Sequence, residues 1–326
     1  YYPNARKSLG ASELPGGIDY YKFKIEHFTT LNLSAQEIHE IGLNEVSRIR
    51  NEMEAVIKSV NFKGSFSDFL NFLRTDPQFY ATTSKDLLKE ASYIAKRIDA
   101  KLPTLFNKLP RLPYGVAPVP EDLAPKYTGG RYVGPAEGSK EPGYYWVNTY
   151  KLDVRPLYNL EALTLHEGVP GHHLQNSIAS EIDDLPEFRK DLYLSAFGEG
   201  WGLYSEYLGI EAGFYTDPYS NFGRLTYEMW RACRLVVDTG IHAMGWSRQR
   251  VINYLSDNTA LPIHECTTET DRYIAWPGQA LSYKIGELKI KELRKFAEKE
   301  LGKEFDVRNF HDTVLGSGSV PVNVLE

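Results

Sequence analysis

The stretch LHEGVPGHHLQ, residues 165–175, carries the chemistry that the sequence predicts and shapes the helices around it. In a metalloprotease helix with the pattern HExxH, two histidines one turn apart reach the same zinc ion, and the glutamate lies beside the water that the metal binds. Here Pro170 takes the place of the second histidine, so the spacing is HExxxxHH. Because proline donates no amide hydrogen and its ring clashes with the preceding turn, we expect the helix to kink or bulge at this residue.

The kink decides which later histidine can share a metal ion with His166. On an unbroken helix, His172 would lie about 9 Å along the axis and about 120° round from His166, which does not suit one metal ion. A bulge that absorbs two residues returns His172 to the face of His166, and we therefore prefer it as the second ligand. His173 remains the alternative, since it lies two turns from His166 on the same face, at about 10.5 Å.

A catalytic Zn²⁺ ion has three protein ligands and keeps a fourth position open for water. Glu199 is the third ligand that we predict, because it lies between two glycines in the segment AFGEGWGLYSE, residues 196–206. Small residues allow a second helix to approach the first closely, as a ligand reaching across requires. Glu206 follows two turns later on the same face, and we expect it to orient a metal ligand without binding the metal itself.

Composition narrows the class of protein. Of the 326 residues, 42% are hydrophobic and 25% are charged, which is ordinary for a globular protein and excludes a disordered or collagen-like chain. The net charge is −6, so nothing in the charge balance supports nucleic-acid binding. Two cysteines exclude a disulfide framework and an all-cysteine zinc site. No apolar run approaches the ~20 residues that cross a bilayer, so no transmembrane segment is predicted.

Helix signals dominate the chain. Ser34 and Glu37 form a capping box ahead of a long amphipathic pattern, and further helices are predicted over 66–74 and from Thr83 or Ser84 onwards. The first 33 residues, by contrast, read as extended and rich in turns. Nothing in this half of the chain carries obvious chemistry.

Proline and glycine mark a change of structure in the middle of the chain. Residues 102–143 are so rich in proline that we expect a long connection there and no central strand. A β-prone run over 144–153 predicts a strand, and helices over 157–181 and 190–213 are expected to cross at the metal. The predicted fold is mainly α (α+β), with a small β-sheet beside the cleft. Its predicted domains are a mainly helical N-terminal region, 1–125, and a zinc-binding catalytic region, 126–326.

Three segments resemble one bacterial family, a domain of unknown function that is grouped with the gluzincin zinc metallopeptidases. They are residues 165–175, Gly198–Tyr204 and Arg272–Tyr283. Shorter likenesses near both ends of the chain, LPGG at residues 14–17 and FHD at residues 310–312, extend the resemblance along nearly all of it.

Members of the family are typically longer at the N-terminus, and many resemble exported lipoproteins. The chain opens with Tyr1-Tyr2-Pro3, without a methionine or a signal-like segment, which fits the loss of an upstream part. The resemblance therefore implies a location in the bacterial cell envelope or periplasm, with a lipid anchor on that upstream part.

The gluzincin scheme, carried onto this sequence, makes His166, His172 and Glu199 the zinc ligands. Glu167 then takes a proton from the attacking water and passes it to the leaving amine. The fold that this implies is a gluzincin-like metallopeptidase catalytic region, and the partner is a peptide or peptide-like substrate.

Gluzincins stabilise the reaction's oxyanion with a tyrosine or a histidine. The candidates here are Tyr273 and Tyr283, and the alternative for Tyr283 is a role in core packing. Arg272 is a candidate for binding a substrate carboxylate, although it could instead pair with Glu269 or Asp271.

Gluzincin-like enzymes also place an edge strand beside the cleft, where its backbone groups bind an extended peptide. By that resemblance, Tyr145, Val147 and Asn148 would lie near the substrate.

Three hypotheses follow. The first is a zinc-dependent peptidase, and the second is a zinc hydrolase of a non-peptide amide or an ester. The third is an envelope binding protein whose metal is structural and has four protein ligands. Glu167 favours the first two, because a structural site has no use for a carboxylate beside its first ligand. We regard the isolated His242, His264 and His311 as structural.

Overall fold

The structure, a computed structural model, describes residues 8–136, 138–190 and 192–325. It is mainly helical with one small sheet, as predicted. The helices are α1 (Gly17–Thr29), α2 (Ala35–Ser59), α3 (Phe66–Thr75), α4 (Ser84–Asp99), α5 (Leu102–Leu105), α6 (Leu160–Glu167), α7 (His172–Ser180), α8 (Glu187–Lys190), α9 (Ser195–Glu211), α10 (Pro218–Met244), α11 (Arg248–Asn258), α12 (Ile263–Ala275), α13 (Ser282–Leu301) and α14 (Val307–Leu315). The strands are β1 (Tyr114–Pro118), β2 (Gly130–Val133) and β3 (Gly143–Val147). None of the helices in the described ranges is both long and apolar enough to span a bilayer.

Packing divides the chain into two compact units, each made of two separate stretches of sequence. The first unit combines the residues up to Arg74 with Leu225–Ile285. The second combines Thr75–Arg224 with the residues from Gly286 onwards. The boundary predicted at residue 125 separates the predicted helical N-terminal region from the predicted catalytic region, and it stays a prediction.

Helix α1, in the first unit, corrects the expectation of an extended N-terminal stretch; residues 1–7 of that stretch lie outside the described ranges. Gly16 caps the helix with a φ of 67°, a conformation that glycine adopts without strain. Tyr21, Ile25 and Phe28 then recur at helical spacing and are buried. The glycine pair indicates a turn, but the helical spacing of these apolar residues is the stronger indication and predicts a helix.

The capping box ahead of α2 is confirmed. The Ser34 hydroxyl accepts a hydrogen bond from the Glu37 amide, and the Glu37 carboxylate accepts one from the Ser34 amide. The first unit's core forms where Ile38 of α2 packs with Ile25, Leu235 and other apolar side chains. Local sequence chemistry fixes this helix start because both partners lie within one turn.

The second unit contains the sheet, in the order β1-β3-β2. β1 runs parallel to β3, and β2 runs antiparallel to it. Two of these strands, β1 and β2, lie within residues 102–143, where we expected a long connection and no central strand; both are outer strands of the sheet. Proline is tolerated here because β1 is an outer strand and Pro118 is its last residue.

Strand β3 confirms the β-prone run but ends at Val147, well short of residue 153. Among the described strands it lies in the middle of the sheet, so the expectation of an edge strand at Tyr144–Asn148 is wrong. The residues of β3 could not show whether it has one or two neighbouring strands, because both of its partners come from other parts of the chain.

The predicted break in the helix at Pro170 is confirmed. α6 ends at Glu167 and α7 begins at His172, so the expected helix over 157–181 is two helices joined by residues 168–171. α9 packs against α6, and a Cβ on its Gly202 would lie only 2.7 Å from Cε1 of His166. Glycine at this position therefore lets α9 approach the imidazole ring, as the small residues predicted.

Candidate metal centre

Three side chains of the second unit aim their ligand atoms at a common point. Nε2 of His166 and Nε2 of His172 lie 3.6 Å and 3.4 Å from Oε2 of Glu199. All three ligand atoms lie within 4.8 Å of one another. The break between α6 and α7 makes this possible, because it brings the two imidazole rings to a centroid separation of 4.8 Å at nearly a right angle.

The two distances from Glu199 and the kinds of atom fit zinc. A tetrahedral zinc ion with bonds of about 2.0–2.1 Å holds its ligand atoms about 3.3 Å apart, close to the two distances from Glu199. Two imidazole nitrogens and one carboxylate oxygen form a donor set that catalytic zinc sites use. His166, His172 and Glu199 could therefore hold one such ion.

Glu206 orients His166 from behind. Its Oε1 lies 2.8 Å from Nδ1 of His166, so the imidazole can donate its Nδ1 hydrogen to the carboxylate and turn Nε2 towards Glu199. Both side chains are almost fully buried. A carboxylate behind a ligating histidine fixes its tautomer and raises its basicity, which is the role that we predict for Glu206.

Interactions between the carboxylates and the histidines set the pKa values in the cluster. Burial lowers the pKa of His166, but hydrogen bonds to Glu199 and Glu206 outweigh it and raise that pKa to about 9. Burial likewise raises the pKa of Glu199, but hydrogen bonds from His166 and His172 bring it well below its usual range. The carboxylates thus attract positive charge to the point where the three ligand atoms converge.

Glu167 lies next to the ligands without joining them. It is the last residue of α6, and its Oε2 accepts a 2.8 Å hydrogen bond from the backbone amide of Tyr132 in β2. The side chain is mostly buried, at 9% exposure. An outer strand of the sheet therefore holds the carboxylate that follows His166.

Sequence reasoning missed three residues that support the site. Besides Tyr132, they are Tyr193, whose hydroxyl donates to Oε1 of Glu199, and Trp201, whose indole donates to the Pro170 carbonyl at 2.8 Å. Trp201 belongs to the GEGWG segment, and its buried indole could have suggested a partner in the helix break. Nothing local distinguishes Tyr132 or Tyr193 from the chain's other tyrosines.

His173 points away from the cluster. Its Nε2 lies 3.0 Å from the Leu112 carbonyl, and Nδ1 lies 3.3 Å from the hydroxyls of Tyr132 and Ser177. Burial lowers the pKa of His173 to about 4, so the ring is neutral at ordinary pH. The structure thus brings His172 beside His166, whereas His173 contacts the loop before β1.

The residues predicted to lie near substrate from β3 are buried. Tyr145 and Val147 are 0% and 1% exposed, and Asn148 is fully buried. The Asn148 amide donates to the carbonyls of Ala124, Tyr127 and Thr128, which ties down the chain before β2. These side chains therefore stabilise the sheet and its loop.

Tyr273, Tyr283 and Arg272 belong to the first unit. The Tyr273 hydroxyl donates to Glu269 and accepts from Trp230, and burial raises its pKa far above the usual value. Arg272 pairs with Glu269 at 2.8 Å, which is one of the two partners that the sequence suggested.

Tyr283 contacts another residue of the first unit. Its ring lies under the guanidinium of Arg234, with 4.2 Å between the ring centroid and Cζ.

Two solved structures resemble the chain. A crystal structure of a candidate lipoprotein from Colwellia psychrerythraea is 38% identical, with a TM-score of 0.95 over 98% of this chain and 56% of its own. A candidate lipoprotein of unknown function from Shewanella oneidensis is 20% identical and shares the fold, with a TM-score of 0.83 over 99% of this chain and 60% of its own. The chain therefore spans less than two thirds of either protein.

Among curated proteins, no match to the chain was found. The profile of one family, described as "Bacterial protein of unknown function (DUF885)", matches residues 1–326, which is the whole chain. The chain therefore belongs to this bacterial family of unknown function, DUF885.

Proposed function

We propose that the chain contains the catalytic site of a zinc-dependent peptidase, with a gluzincin-like catalytic region. One observation carries the proposal: the ligand atoms of His166, His172 and Glu199 converge while Glu167, beside them, stays outside the ligand set. A catalytic zinc site needs both parts, namely three ligands and a separate proton acceptor.

Glu167 is the general base in this proposal. A zinc ion held by the three ligands would supply polarisation of the substrate carbonyl and a lowered pKa for water. Glu167 takes the proton of the attacking water and passes it to the leaving nitrogen. The Tyr132 amide keeps the carboxylate in place during both transfers, because it binds Oε2 from a strand whose backbone is fixed by the sheet.

The outer edge of β2 is our candidate for binding an extended peptide. Tyr132 stands opposite Tyr145 of β3, yet its amide hydrogen bonds to Glu167 and so points away from the sheet. Because the Tyr132 amide already binds Glu167, an added strand would pair with the neighbouring backbone groups on this side of β2. A peptide bound there would run past Glu167, which assigns to β2 the role first predicted for β3.

An open coordination position favours catalysis over a structural metal. A structural zinc site is closed by four protein ligands. His173 is the fourth candidate that the sequence offered, and its nitrogens contact Leu112, Tyr132 and Ser177 instead. Only three ligands converge among the described residues.

The sequence assigns the oxyanion donor to Tyr273 or Tyr283, and that assignment stays a prediction. Tyr273 is the weaker candidate, because its hydroxyl hydrogen already goes to Glu269. Replacing Tyr283 with Phe should lower kcat and leave KM nearly unchanged, since an oxyanion donor acts on the transition state.

A location in the bacterial cell envelope is part of the proposal. It rests on the two related structures, whose proteins are described as candidate lipoproteins. Both of those chains are longer than this one.

The proposal is tested by metal content and hydrolysis together. Zinc is measured by mass spectrometry in the wild type, in Glu199→Ala and in the exposed-surface control His264→Ala, and each protein is incubated with a mixed peptide library. We expect about one zinc ion per chain in the wild type and the control. We expect none in Glu199→Ala, and peptide cleavage only where zinc is bound.

Two results would contradict the proposal. Zinc without cleavage of any peptide would favour another amide or ester as substrate, or a structural metal. A wild-type protein that stays metal-free after zinc is supplied would show that the proposed metal site does not exist.

A further inference from the structure

A pocket of about 110 Å³ lies beside the candidate metal centre. Two of its lining residues adjoin Glu199: Tyr193 donates its hydroxyl to the Glu199 carboxylate, and Gly198 is the preceding residue. One water needs only about 10–15 Å³ of such space, so the pocket has room for a short side chain. Tyr193 is 52% exposed and Leu192 is 38% exposed, which places them at the rim.

Gln175 supplies the pocket's most informative polar atom. It is the last residue of the stretch HEGVPGHHLQ, and none of the chemistry proposed above uses it. Gln175 is 5% exposed, its Nε2 donates to the Phe197 carbonyl, and its Oε1 has no hydrogen-bond partner among the residues that the structure describes. Because Phe197 offers an acceptor, the amide is held with Nε2 towards it and with Oε1 left as an acceptor. A buried acceptor without a partner is costly, and a ligand that donates to it removes that cost.

Charges around the pocket select the kind of donor. Arg189 and Lys190 both line it. Arg189 donates two hydrogen bonds through Nη2, to the carbonyls of Ser317 and Ser319, and Lys190 pairs with Glu187. Glu187 offsets the charge of Lys190, but the guanidinium of Arg189 contacts only neutral carbonyls in these bonds and disfavours an ammonium or guanidinium group as the donor to Gln175. A neutral group that donates one hydrogen bond and accepts another suits an acceptor beside a guanidinium, which has five N–H donors in all.

We propose that this pocket binds the carboxamide side chain of a substrate glutamine or asparagine. The carboxamide nitrogen donates to Oε1 of Gln175, and the carboxamide oxygen faces the cationic side of the pocket. That this residue belongs to the molecule cleaved at the metal centre rests on the proposed function. The binding preference itself does not.

The test separates binding from cleavage. Blocked pentapeptides that carry Gln, Met, Glu or Lys at each position in turn are titrated into zinc-loaded Glu167→Gln protein, and Kd is measured by calorimetry. The same peptides are given to the wild type, and kcat/KM is measured. We expect a position at which Gln binds about 5- to 50-fold more tightly than Met.

Variants of Gln175 tie that preference to the pocket. Gln175→Met keeps the volume and removes the acceptor, so the ratio of Gln to Met should fall to about one. Gln249→Met, a matched change on the exposed face of α11, should leave the ratio unchanged. Gln175→Glu serves if the Met variant does not fold, and its carboxylate should raise Lys binding relative to Gln by about tenfold or more.

Each outcome bears on one proposal. No preference for Gln, or a preference that Gln175→Met leaves intact, overturns the pocket assignment even if peptides are cleaved. An unchanged ratio of Lys to Gln in Gln175→Glu does the same. A Gln preference that depends on Gln175, without cleavage in the wild type, supports the pocket and counts against the peptidase.

Discussion

Two buried polar clusters, one in each unit, differ in how their atoms are satisfied. In the first unit, Glu269 accepts from Arg234 at 3.1 Å, from Arg272 at 2.8 Å and from the Tyr273 hydroxyl at 2.8 Å. Each of these N–H and O–H donors has the Glu269 carboxylate as its acceptor, and the arginine charges are paired with it. In the second unit, the ligand atoms of His166, His172 and Glu199 are all lone-pair donors that face one point.

The difference teaches how to tell structure from chemistry in this chain. A cluster whose members satisfy one another needs no further group, and removing one member leaves buried charges without partners. A cluster of three lone-pair donors requires a cation or protons to be stable. Both clusters contain residues that the sequence singled out, namely Tyr273 and Arg272 in one and His166, His172 and Glu199 in the other. Of these two clusters, the second is the one whose side chains could hold a metal ion.

The largest effect should come from the metal ligands. His172→Ala should abolish stoichiometric zinc binding, because the remaining two ligands cannot hold the ion tightly. His173→Ala is the matched control: it should keep the zinc and lose only stability, by about 1–3 kcal/mol, since it removes the buried contact with the Leu112 carbonyl. Metal analysis after dialysis measures both. Zinc retained in His172→Ala and lost in His173→Ala would reverse our choice of ligand.

Glu167→Gln should give the next largest effect. The amide cannot accept the proton of the attacking water, so kcat should fall by about 10²–10⁴-fold. Zinc content should be unchanged, because Glu167 is not among the ligands. Steady-state hydrolysis and metal analysis of the same preparation check both statements. A variant that loses zinc along with activity would place Glu167 in the metal's coordination instead.

The sequence predicted those parts of the site that depend on neighbours along the chain. Pro170 ends α6, and the resulting break makes HExxxxHH a workable spacing. Gly202 permits close packing of α9 against His166. Glu199 could be chosen because glycines flank it. In each case the signal and its consequence lie on one helix or at one bend.

Long-range pairing was not predictable in the same way. The residues of β3 show that a strand forms, but its central place depends on β1 and β2, which lie in a proline-rich stretch. The contact between the Tyr132 amide and Glu167 depends on that pairing, so no local pattern announces it. The pocket beside Gln175 depends similarly on the way that chain segments far apart in sequence meet.

Glu269 tests the first unit's cluster. Glu269→Gln leaves the buried Arg234 and the half-buried Arg272 without their carboxylate, and it should lower the free energy of unfolding by about 3–5 kcal/mol. Zinc content should not change. Urea unfolding measures the loss, and Asp271→Asn, which breaks the exposed pair with Arg248, should cost less than about 1 kcal/mol. Similar losses in the two variants would contradict the view that burial makes Glu269 important.

The dependence of stability on pH tests the same cluster a second time. Burial raises the pKa of Glu269, but Arg272 and Arg234 outweigh it and lower that pKa from 4.5 to about 2. The unfolded chain therefore binds this proton more readily, so the contribution is complete above pH 4.5 and is lost as the pH falls towards 2, by about 3 kcal/mol. The stability gap between wild type and Glu269→Gln should close over that range. A gap that stays constant would show that the carboxylate's charge is not what stabilises the fold.

The smallest effect should come from Glu206, because changing it alters the surroundings of a candidate ligand and leaves the ligand in place. Glu206→Gln keeps an acceptor for the Nδ1 hydrogen of His166 but removes the negative charge, so zinc affinity should fall by about 10–100-fold. Competition with a chromophoric chelator measures this change without any assay of activity. Glu211→Gln, further along α9 in a surface pair with Arg294, should leave the affinity unchanged. Equal affinities in the wild type and Glu206→Gln would mean that the carboxylate behind His166 stabilises the fold of the second unit alone, as Glu269 does that of the first.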